Sequence, residues 1–259
     1  TALTNFCDVN ELEITRESEA PLVVIRRIKC ALQSYELSCN ENGMTLNAGD
    51  DAGVFYGLCS LQQILQQSPR RINHFKIKDA PDFEHRGVML DISRCKVPTL
   101  DTLFTLIDNL AALKINQLQL YIEHTFAFSN HPLVWADASP MTAEDLRRIK
   151  QYCDERFIDL VPNFNSFGHF ERWLKHPEYH QFAECPDGFV HPLTNQPIPF
   201  GGTLKPNQTS LRLLKSLYDE YLPLFDSPYF NVGGDEPWEL GTGWSHARCM
   251  ENGTANVYL

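Results

Sequence analysis

The segment HRGVMLDISRCKVPTLDTLFTLIDNLAALKINQLQLYIE, residues 85–123, decides the fold of this chain because it holds two strand-like runs around one helix-like run. Residues 85–93 and 115–123 are short and largely apolar, as strands buried in a sheet are. Residues 99–114 place apolar side chains at the spacing of one helix face. A strand, an amphipathic helix and a second strand in this order predict a βαβ unit, whose two strands are parallel.

The same alternation continues along the rest of the chain. Helices are predicted at 142–156 and 210–225, and strands at 157–166 and 229–236. Thr142 followed by Asp145 is an acidic variant of the capping box that opens a helix. A complete (β/α)8 barrel has eight strands and typically about 250 residues. The sequence therefore predicts an α/β fold in which residues 81–259 form the first half of a (β/α)8 TIM-type barrel, strands 1–4, as a fragment of a longer barrel.

The chain before residue 81 has a different pattern. Strands are predicted at 21–29, 34–39, 44–49 and 71–81, and a helix at 50–67. Asn42-Gly43 is a strong hairpin turn because both residues tolerate positive φ, and Asp50 or Asp51 is suited to cap the helix. Residues 1–80 are therefore predicted to form a small α+β domain that ends near Asp79-Ala80-Pro81.

Composition excludes several classes of function. The formal net charge is −11 and the pI about 5.2, so the chain has no basic surface for a nucleic-acid partner. No apolar run is long enough to span a bilayer. The cysteines are scattered, with no Cys-x-x-Cys pair, at positions 7, 30, 39, 59, 95, 153, 185 and 249. This spacing favours reduced thiols over a disulfide framework or a zinc site. Reduced thiols favour a cytoplasmic location, although a removed signal peptide would leave no trace in the sequence.

Polar side chains follow every predicted barrel strand. They are Asp91 to Arg94, Glu123-His124, Asn163 to His169, and Asp235-Glu236. The carboxyl ends of the strands build the active site of a (β/α) barrel, so this recurrence indicates a catalytic face. Adjacent carboxylates at a strand exit repel each other, and two carboxylates in different environments can divide acid and base roles. Cleavage of a glycosidic bond requires such a pair.

Three motifs in order carry a resemblance to a known family. They are HRGVMLDISR at the first barrel strand, NSFGH at the third and GGDE at the fourth. Together with DAPDFEHRG ahead of them, they resemble glycoside hydrolase family 20, the β-N-acetylhexosaminidases, from about residue 21 to the end of the chain. The resemblance implies a retaining exo-enzyme that removes terminal GlcNAc or GalNAc by substrate-assisted catalysis, without a metal or cofactor. Asp235 then orients the 2-acetamido group, and Glu236 is the general acid and base.

The resemblance also assigns residues around the acid pair. Arg94 matches the arginine that binds the outer hydroxyls of the terminal sugar, and His169 matches a histidine that supports the acids. Glu123 occupies an acidic position that either assists Arg94 and the sugar or forms a structural ion pair. Apart from the resemblance, Trp238 lies two residues after Glu236, and from this position it either lines the side of the departing group or packs internally.

Two departures and two alternatives accompany this interpretation. Asn231 stands where the family often has His, and Asn165 where it often has Asp, which indicates an altered environment around the acids. The family's sugar-stacking tryptophans come from the second half of the barrel, so we expect the 259-residue chain to have little activity alone.

The first alternative is an inactive fragment or carbohydrate-binding module that retains the acid pair. The second is a barrel glycosidase with a separate nucleophile.

Overall fold

A computed structural model describes residues 23–67, 72–94 and 96–259 of the chain. The chain divides into two compact units. The first unit comprises the described residues within 1–88, 101–117 and 151–159, and the second comprises those within 89–100, 118–150 and 160–259. Cys7, Cys95 and the ends of two predicted strands, at 21–22 and 71, lie outside the described residues. The division into domains at residue 80 stays a prediction.

The first unit contains a four-stranded sheet. Its strands are β1 (Val23–Arg27), β2 (Tyr35–Asn40), β3 (Gly43–Ala48) and β4 (Phe75–Asp79), in the order β1-β3-β2-β4. β1 runs parallel to β3, and the other pairs are antiparallel. The predicted hairpin forms, but its turn lies one residue earlier than Asn42-Gly43: Asn40 pairs with Gly43 around the turn residues Glu41 and Asn42. Gly43, the first residue of β3, has a φ of +107°, whereas Asn42 does not have a positive φ. Glycine adopts this left-handed conformation without the steric cost of a side chain.

Helix α1 (Asp51–Gln67) covers one face of this sheet. Asp50 is the N-cap, because its Oδ1 accepts a hydrogen bond from the Gly53 backbone N–H at 2.7 Å. The core between helix and sheet is formed by buried Tyr35, Leu37, Met44, Leu46, Ala48, Tyr56, Leu58 and Leu61. Burial of each large apolar side chain stabilises the folded state by about 1.5–3 kcal/mol, so the apolar face of α1 contributes to the stability of this unit.

From residue 87 the chain alternates strands and helices, as predicted. The strands β5 (Gly87–Asp91), β6 (Gln117–Tyr121) and β7 (Asp159–Val161) form one sheet in the order β5-β6-β7. The longer helices are α2 (Leu100–Ala112), α4 (Ala143–Asp154) and α6 (Gln208–Tyr221). The short elements are α3 (Pro132–Trp135), α5 (Glu171–Leu174), β8 (Phe189–Val190), β9 (Pro197–Ile198), α7 (His246–Asn252), α8 (Thr254–Tyr258) and 3₁₀ turns at Pro177–Phe182 and Leu222–Leu224.

The predicted strand over residues 229–236 is not formed. Only Asn231 pairs with the sheet, through one parallel bridge to Asn163. Its N–H donates to the Pro162 carbonyl at 3.0 Å, and the chain then turns away because Gly233 and Gly234 have φ values of +66° and +104°. These left-handed residues cannot continue an extended strand. The mixed α/β content is confirmed, but the fourth strand is reduced to a bridge.

An aromatic core underlies the sheet exits in the second unit. Its fully buried members are Phe126, Phe128, Phe164, Phe170, Trp173 and Tyr221. The Trp173 Nε1–H donates to the Glu123 carbonyl at 2.9 Å, which ties this core to the end of β6. No helix in the described part of the chain is both long and apolar enough to cross a bilayer.

Candidate active site

Five of the six predicted site residues come together in the second unit. They are Arg94 after β5, Glu123 after β6, His169 after β7, and Asp235 and Glu236 after the Asn231 bridge. Because consecutive strands of the sheet are neighbours, the loops at their carboxyl ends meet at one edge. The sequence predicts these residues at the carboxyl ends of the strands, and this position brings their side chains together.

The two acids converge on a single atom of His169. The Nε2 atom lies 3.2 Å from Asp235 Oδ2 and 3.4 Å from Glu236 Oε2. In a regular strand, adjacent side chains point to opposite faces. Here Glu236 has a φ of +50°, so the backbone turns between the two acids and both carboxylates reach the same side. Each acid side chain is 53% exposed and open to a ligand.

His169 lies between the acid pair and a second charged group. Its side chain is 12% exposed, and its Nδ1 lies 3.7 Å from Glu123 Oε1 and 3.5 Å from Arg94 Nη2. The Nε2 atom is buried and near both acids, but the angles are not those of a hydrogen bond, and it has no other partner among the described residues. His169 itself has a φ of +58°. A non-glycine residue in this conformation costs about 1–3 kcal/mol, and such residues cluster at functional sites.

Gly168 allows the acid loop to approach closely. A Cβ atom at this position would contact the backbone oxygen of Asp235 and would lie 3.1 Å from that of Glu236. The motif NSFGH therefore needs its glycine because the loop carrying the acids crosses directly over it. The sequence suggested this motif by resemblance, and the steric reason is visible only in the structure.

Arg94 is held by two carboxylates. Its Nη1 lies 2.5 Å from Asp91 Oδ2, its Nη2 lies 3.0 Å from Glu123 Oε1, and its Cζ lies 5.1 Å from the centre of the Tyr121 ring. Burial opposes the charge of Arg94, but the hydrogen bond to Asp91 and the charge of Glu123 outweigh it and raise its pKa. The side chain is 51% exposed, so the guanidinium is both fixed and accessible.

Glu123 is the buried member of the cluster. It is 7% exposed, and burial raises the pKa of its carboxyl despite the hydrogen bond from Tyr121 and the charges of Arg94 and His169. Tyr121 OH donates to Glu123 Oε1 at 2.8 Å. The structure thus places Glu123 3.0 Å from Arg94 and 3.7 Å from His169, and the choice between assisting the sugar site and forming a structural ion pair stays a prediction.

Trp238 is not brought into this cluster. Its half-buried ring lies 5.3 Å from the ring of His191, in the loop between β8 and β9. Its backbone N–H donates to the Glu236 carbonyl at 2.8 Å. Trp238 thus lies next to the acid loop, and its role in lining the side of the departing group stays a prediction.

Two contributing residues were missed at the sequence level. The sequence places Tyr121 only in a strand and shows Asn165 only as a departure from the family pattern. Tyr121 and Glu123 are two residues apart at a strand exit and therefore share a face, which was the available signal. The described residues contain no group of three or more His, Cys, Asp or Glu side chains able to hold a metal.

Comparison with known proteins identifies the family of this chain. Residues 83–254 match the catalytic domain of Glycosyl hydrolase family 20, and residues 27–80 match domain 2 of the same family. The β-hexosaminidase subunit A1 of Dictyostelium discoideum is 26% identical over 217 residues, which cover 79% of this chain and 39% of that protein.

Solved structures show the same relationship. The chitobiase of Flavobacterium johnsoniae has a TM-score of 0.75 at 27% identity, and the match covers 98% of this chain and 41% of that one. The exo-β-N-acetylglucosaminidase of Vibrio harveyi, solved with N-acetylglucosamine, has a TM-score of 0.80 at 17% identity over 99% and 45% of the two chains. At that identity the likeness shows the fold alone. The chain thus spans about two-fifths of the length of the relatives that it matches.

Proposed function

Because the chain belongs to glycosyl hydrolase family 20, we propose that it carries the catalytic acid pair of an enzyme that removes terminal β-linked GlcNAc or GalNAc from a glycan. One observation supports this most strongly: Asp235 and Glu236, half exposed, both reach His169 Nε2, at 3.2 and 3.4 Å. Two like charges held this close repel each other, and this cost is offset where each carboxylate acts on a different part of a bound ligand. A terminal N-acetylhexosamine offers two such parts side by side, the acetamido group and the bridging oxygen.

In the first step, the carbonyl oxygen of the substrate's 2-acetamido group attacks the anomeric carbon. The bond from that carbon to the leaving oxygen breaks, and Glu236 gives its proton to the leaving oxygen. The product is a bicyclic oxazolinium ion with positive charge spread onto nitrogen. Asp235 orients the acetamido group and stabilises that charge, which is the electrostatic role expected of a fixed carboxylate.

In the second step, a water molecule attacks the anomeric carbon from the side that the leaving group vacated. Glu236, now ionised, takes the proton of this water, and the acetamido carbonyl is released. Two inversions at the same carbon give net retention of the β configuration. Neither step uses a metal or another cofactor.

Arg94 provides the sugar-binding contact. Its guanidinium is fixed by Asp91 and Glu123 while half exposed, and a planar group with several donors suits a pair of neighbouring hydroxyls. We place the outer hydroxyls of the terminal sugar against Arg94. The names of the relatives, β-hexosaminidase and chitobiase, support a glycan that ends in an N-acetylhexosamine.

A carbohydrate-binding role without turnover is the second candidate. The chain covers 39% of the Dictyostelium relative and 41% of the Flavobacterium one, so it corresponds to only part of those proteins. A surface with Arg94 and Asp235 in place can hold a sugar even if the acid step is slow. The two candidates differ in whether product accumulates.

The test is release of 4-nitrophenol from 4-nitrophenyl β-GlcNAc and from the corresponding β-glucoside. We expect product above the blank from the GlcNAc substrate alone, because the glucoside has no acetamido nucleophile. Asp235→Asn and Glu236→Gln should each lower the rate at least about 100-fold, the usual range for an essential acid, base or electrostatic group. Glu251→Gln is the matched control, since Glu251 is exposed on α7.

The outcomes separate the candidates. Equal rates on both substrates would overturn acetamido participation and favour a separate enzymatic nucleophile. Binding of a GlcNAc thiazoline without any product would favour the carbohydrate-binding role. A wild-type chain that neither hydrolyses the substrate nor binds the thiazoline would overturn both.

A further inference from the structure

Asn165 sits in a fully buried position between the acid loop and the arginine site. Its side chain is 0% exposed. On one side its Oδ1 accepts a hydrogen bond from the Gly234 backbone N–H at 3.1 Å, and Gly234 immediately precedes Asp235. On the other side its Nδ2 donates to Tyr121 OH at 2.5 Å.

Tyr121 continues the connection. Its hydroxyl donates to Glu123 Oε1 at 2.8 Å, and the same carboxylate oxygen lies 3.0 Å from Arg94 Nη2 and 3.7 Å from His169 Nδ1. Burial and the hydrogen bond to Glu123 raise the pKa of Tyr121, so its phenol keeps its proton. A continuous chain of hydrogen bonds therefore links the backbone of the acid loop to the residue that holds Arg94.

The direction of each bond determines which side chain fits at position 165. The single proton of Tyr121 is given to Glu123, so its oxygen can only accept from residue 165. The Gly234 N–H can only donate, so residue 165 must accept there. An amide meets both demands, whereas an ionised carboxylate accepts at both ends and cannot donate to Tyr121. These two bonds also fix the orientation of the Asn165 amide, with its oxygen toward Gly234 and its nitrogen toward Tyr121.

We infer that Asn165 is a positioning residue, which fixes the acid loop relative to Arg94 through Gly234 on one side and Tyr121 and Glu123 on the other. A neutral side chain here also avoids adding a carboxylate to a region that already contains several. The titratable and charged groups around the chain of hydrogen bonds are Asp91, Arg94, Tyr121, Glu123, His169, Glu171, Asp235 and Glu236. Substitution of Asn165 by aspartate should therefore make the hydrogen bond from residue 165 to Tyr121 depend on pH.

The test uses Asn165→Asp in the full chain. A protonated aspartic acid can donate to Tyr121 and accept from Gly234 as the amide does, but its ionised form cannot donate. We expect the ¹³Cζ resonance of Tyr121 to match wild type at low pH. With rising pH it should move away, in a titration step that wild type lacks. The unfolding equilibrium should shift against the folded state by as much as about tenfold per pH unit over the same range, because the folded-state pKa of a buried aspartate is raised.

Asn163 supplies the matched control. It is also buried, at 1% exposed, and lies at the same strand exit, but its Nδ2 donates to Gln119 Oε1 at 2.9 Å. Asn163→Asp should lose stability with rising pH without adding a titration step to the Tyr121 resonance. If both variants move that resonance equally, or neither does, Asn165 has no specific positioning role.

A second pair of variants covers the case in which Asn165→Asp does not fold. Asn165→Ala removes the acceptor of the Gly234 N–H, so exchange of that amide with deuterium should accelerate at least about tenfold. Tyr121→Phe leaves the acceptor in place and should change this rate less than about threefold. Equal exchange rates in the two variants would overturn the inference. These readouts do not involve catalysis, so failure of the proposed function leaves them unaffected.

Discussion

Replacing Gly168 with alanine tests the steric basis of the site. The added methyl group would contact the backbone oxygen of Asp235 and would lie 3.1 Å from the oxygen and 3.2 Å from the carbonyl carbon of Glu236. All three are backbone atoms, so no side-chain rotation relieves the contact. Gly168 does not have a positive φ, so the alanine itself is not strained. The acid loop must shift by a few tenths of an ångström or more.

The magnitude follows from this geometry. Inserting a methyl group into a tightly packed position costs about 1–3 kcal/mol, and 2 kcal/mol is roughly a 30-fold change in the folding equilibrium. Both carboxylates move with the loop, away from His169. Because small displacements of catalytic groups are costly, we expect binding of a GlcNAc thiazoline to weaken at least about tenfold. Urea unfolding and calorimetric titration measure the two effects.

Gly87→Ala is the matched control. A Cβ atom there would have its nearest neighbour at 3.5 Å, an ordinary contact. Its stability should stay within about 0.5 kcal/mol of wild type, with thiazoline binding unchanged. The reasoning is refuted if Gly168→Ala unfolds and binds as Gly87→Ala does.

Three further predictions concern other parts of the second unit. Burial lowers the pKa of His124 from 6.5 to about 4, so stability should fall by as much as about 3 kcal/mol as the pH drops from 6.5 to 4. His124→Gln should flatten urea-unfolding free energies over that range; an unchanged slope would contradict this. Arg94→Lys should weaken binding of GlcNAc, followed by NMR titration, at least about tenfold, because lysine cannot reproduce the planar donor arrangement; equal affinity would remove Arg94 from the site. Thr142→Ala should cost about 1 kcal/mol in urea unfolding, because Thr142 Oγ1 accepts from the Asp145 N–H at 3.1 Å; no loss would mean that the cap is not stabilising.

Local signals in the sequence were sufficient for most helices and strands. Helix α4 was predicted at 142–156 and is found at Ala143–Asp154, because its apolar period and its capping box are both local features. The Thr142 N–H donates back to Asp145 Oδ2 at 2.9 Å, which completes the predicted box. The same holds for α1, whose N-cap Asp50 was one of two candidates.

The strand predicted over 229–236 shows where local signals fail. The run YFNV has the composition of a strand, but a strand exists only where backbone partners are available. Here only Asn231 finds one, and Val232 remains 47% exposed. Gly233 and Gly234 then end the extended conformation, since both have positive φ.

For the site, residue types and strand-end positions could be predicted, but not the geometry. The sequence identified five residues that the structure brings together. It could not show that Glu236 adopts a left-handed conformation and so aligns with Asp235, because that depends on the path of the loop over Gly168. It also could not place Asn165, whose role depends on contacts with Tyr121 and Gly234 from two distant parts of the chain.

The most direct test of the account is calorimetric titration of a GlcNAc thiazoline into the wild-type chain, Asp235→Asn and Glu236→Gln. The thiazoline resembles the bicyclic ion, so its ring nitrogen should meet Asp235 and its binding should hardly involve Glu236. We predict that Asp235→Asn weakens binding at least about 100-fold, and that Glu236→Gln changes it less than about tenfold. Unaltered affinity in Asp235→Asn, or no binding to the wild-type chain, would contradict the assignment of the two neighbouring acids.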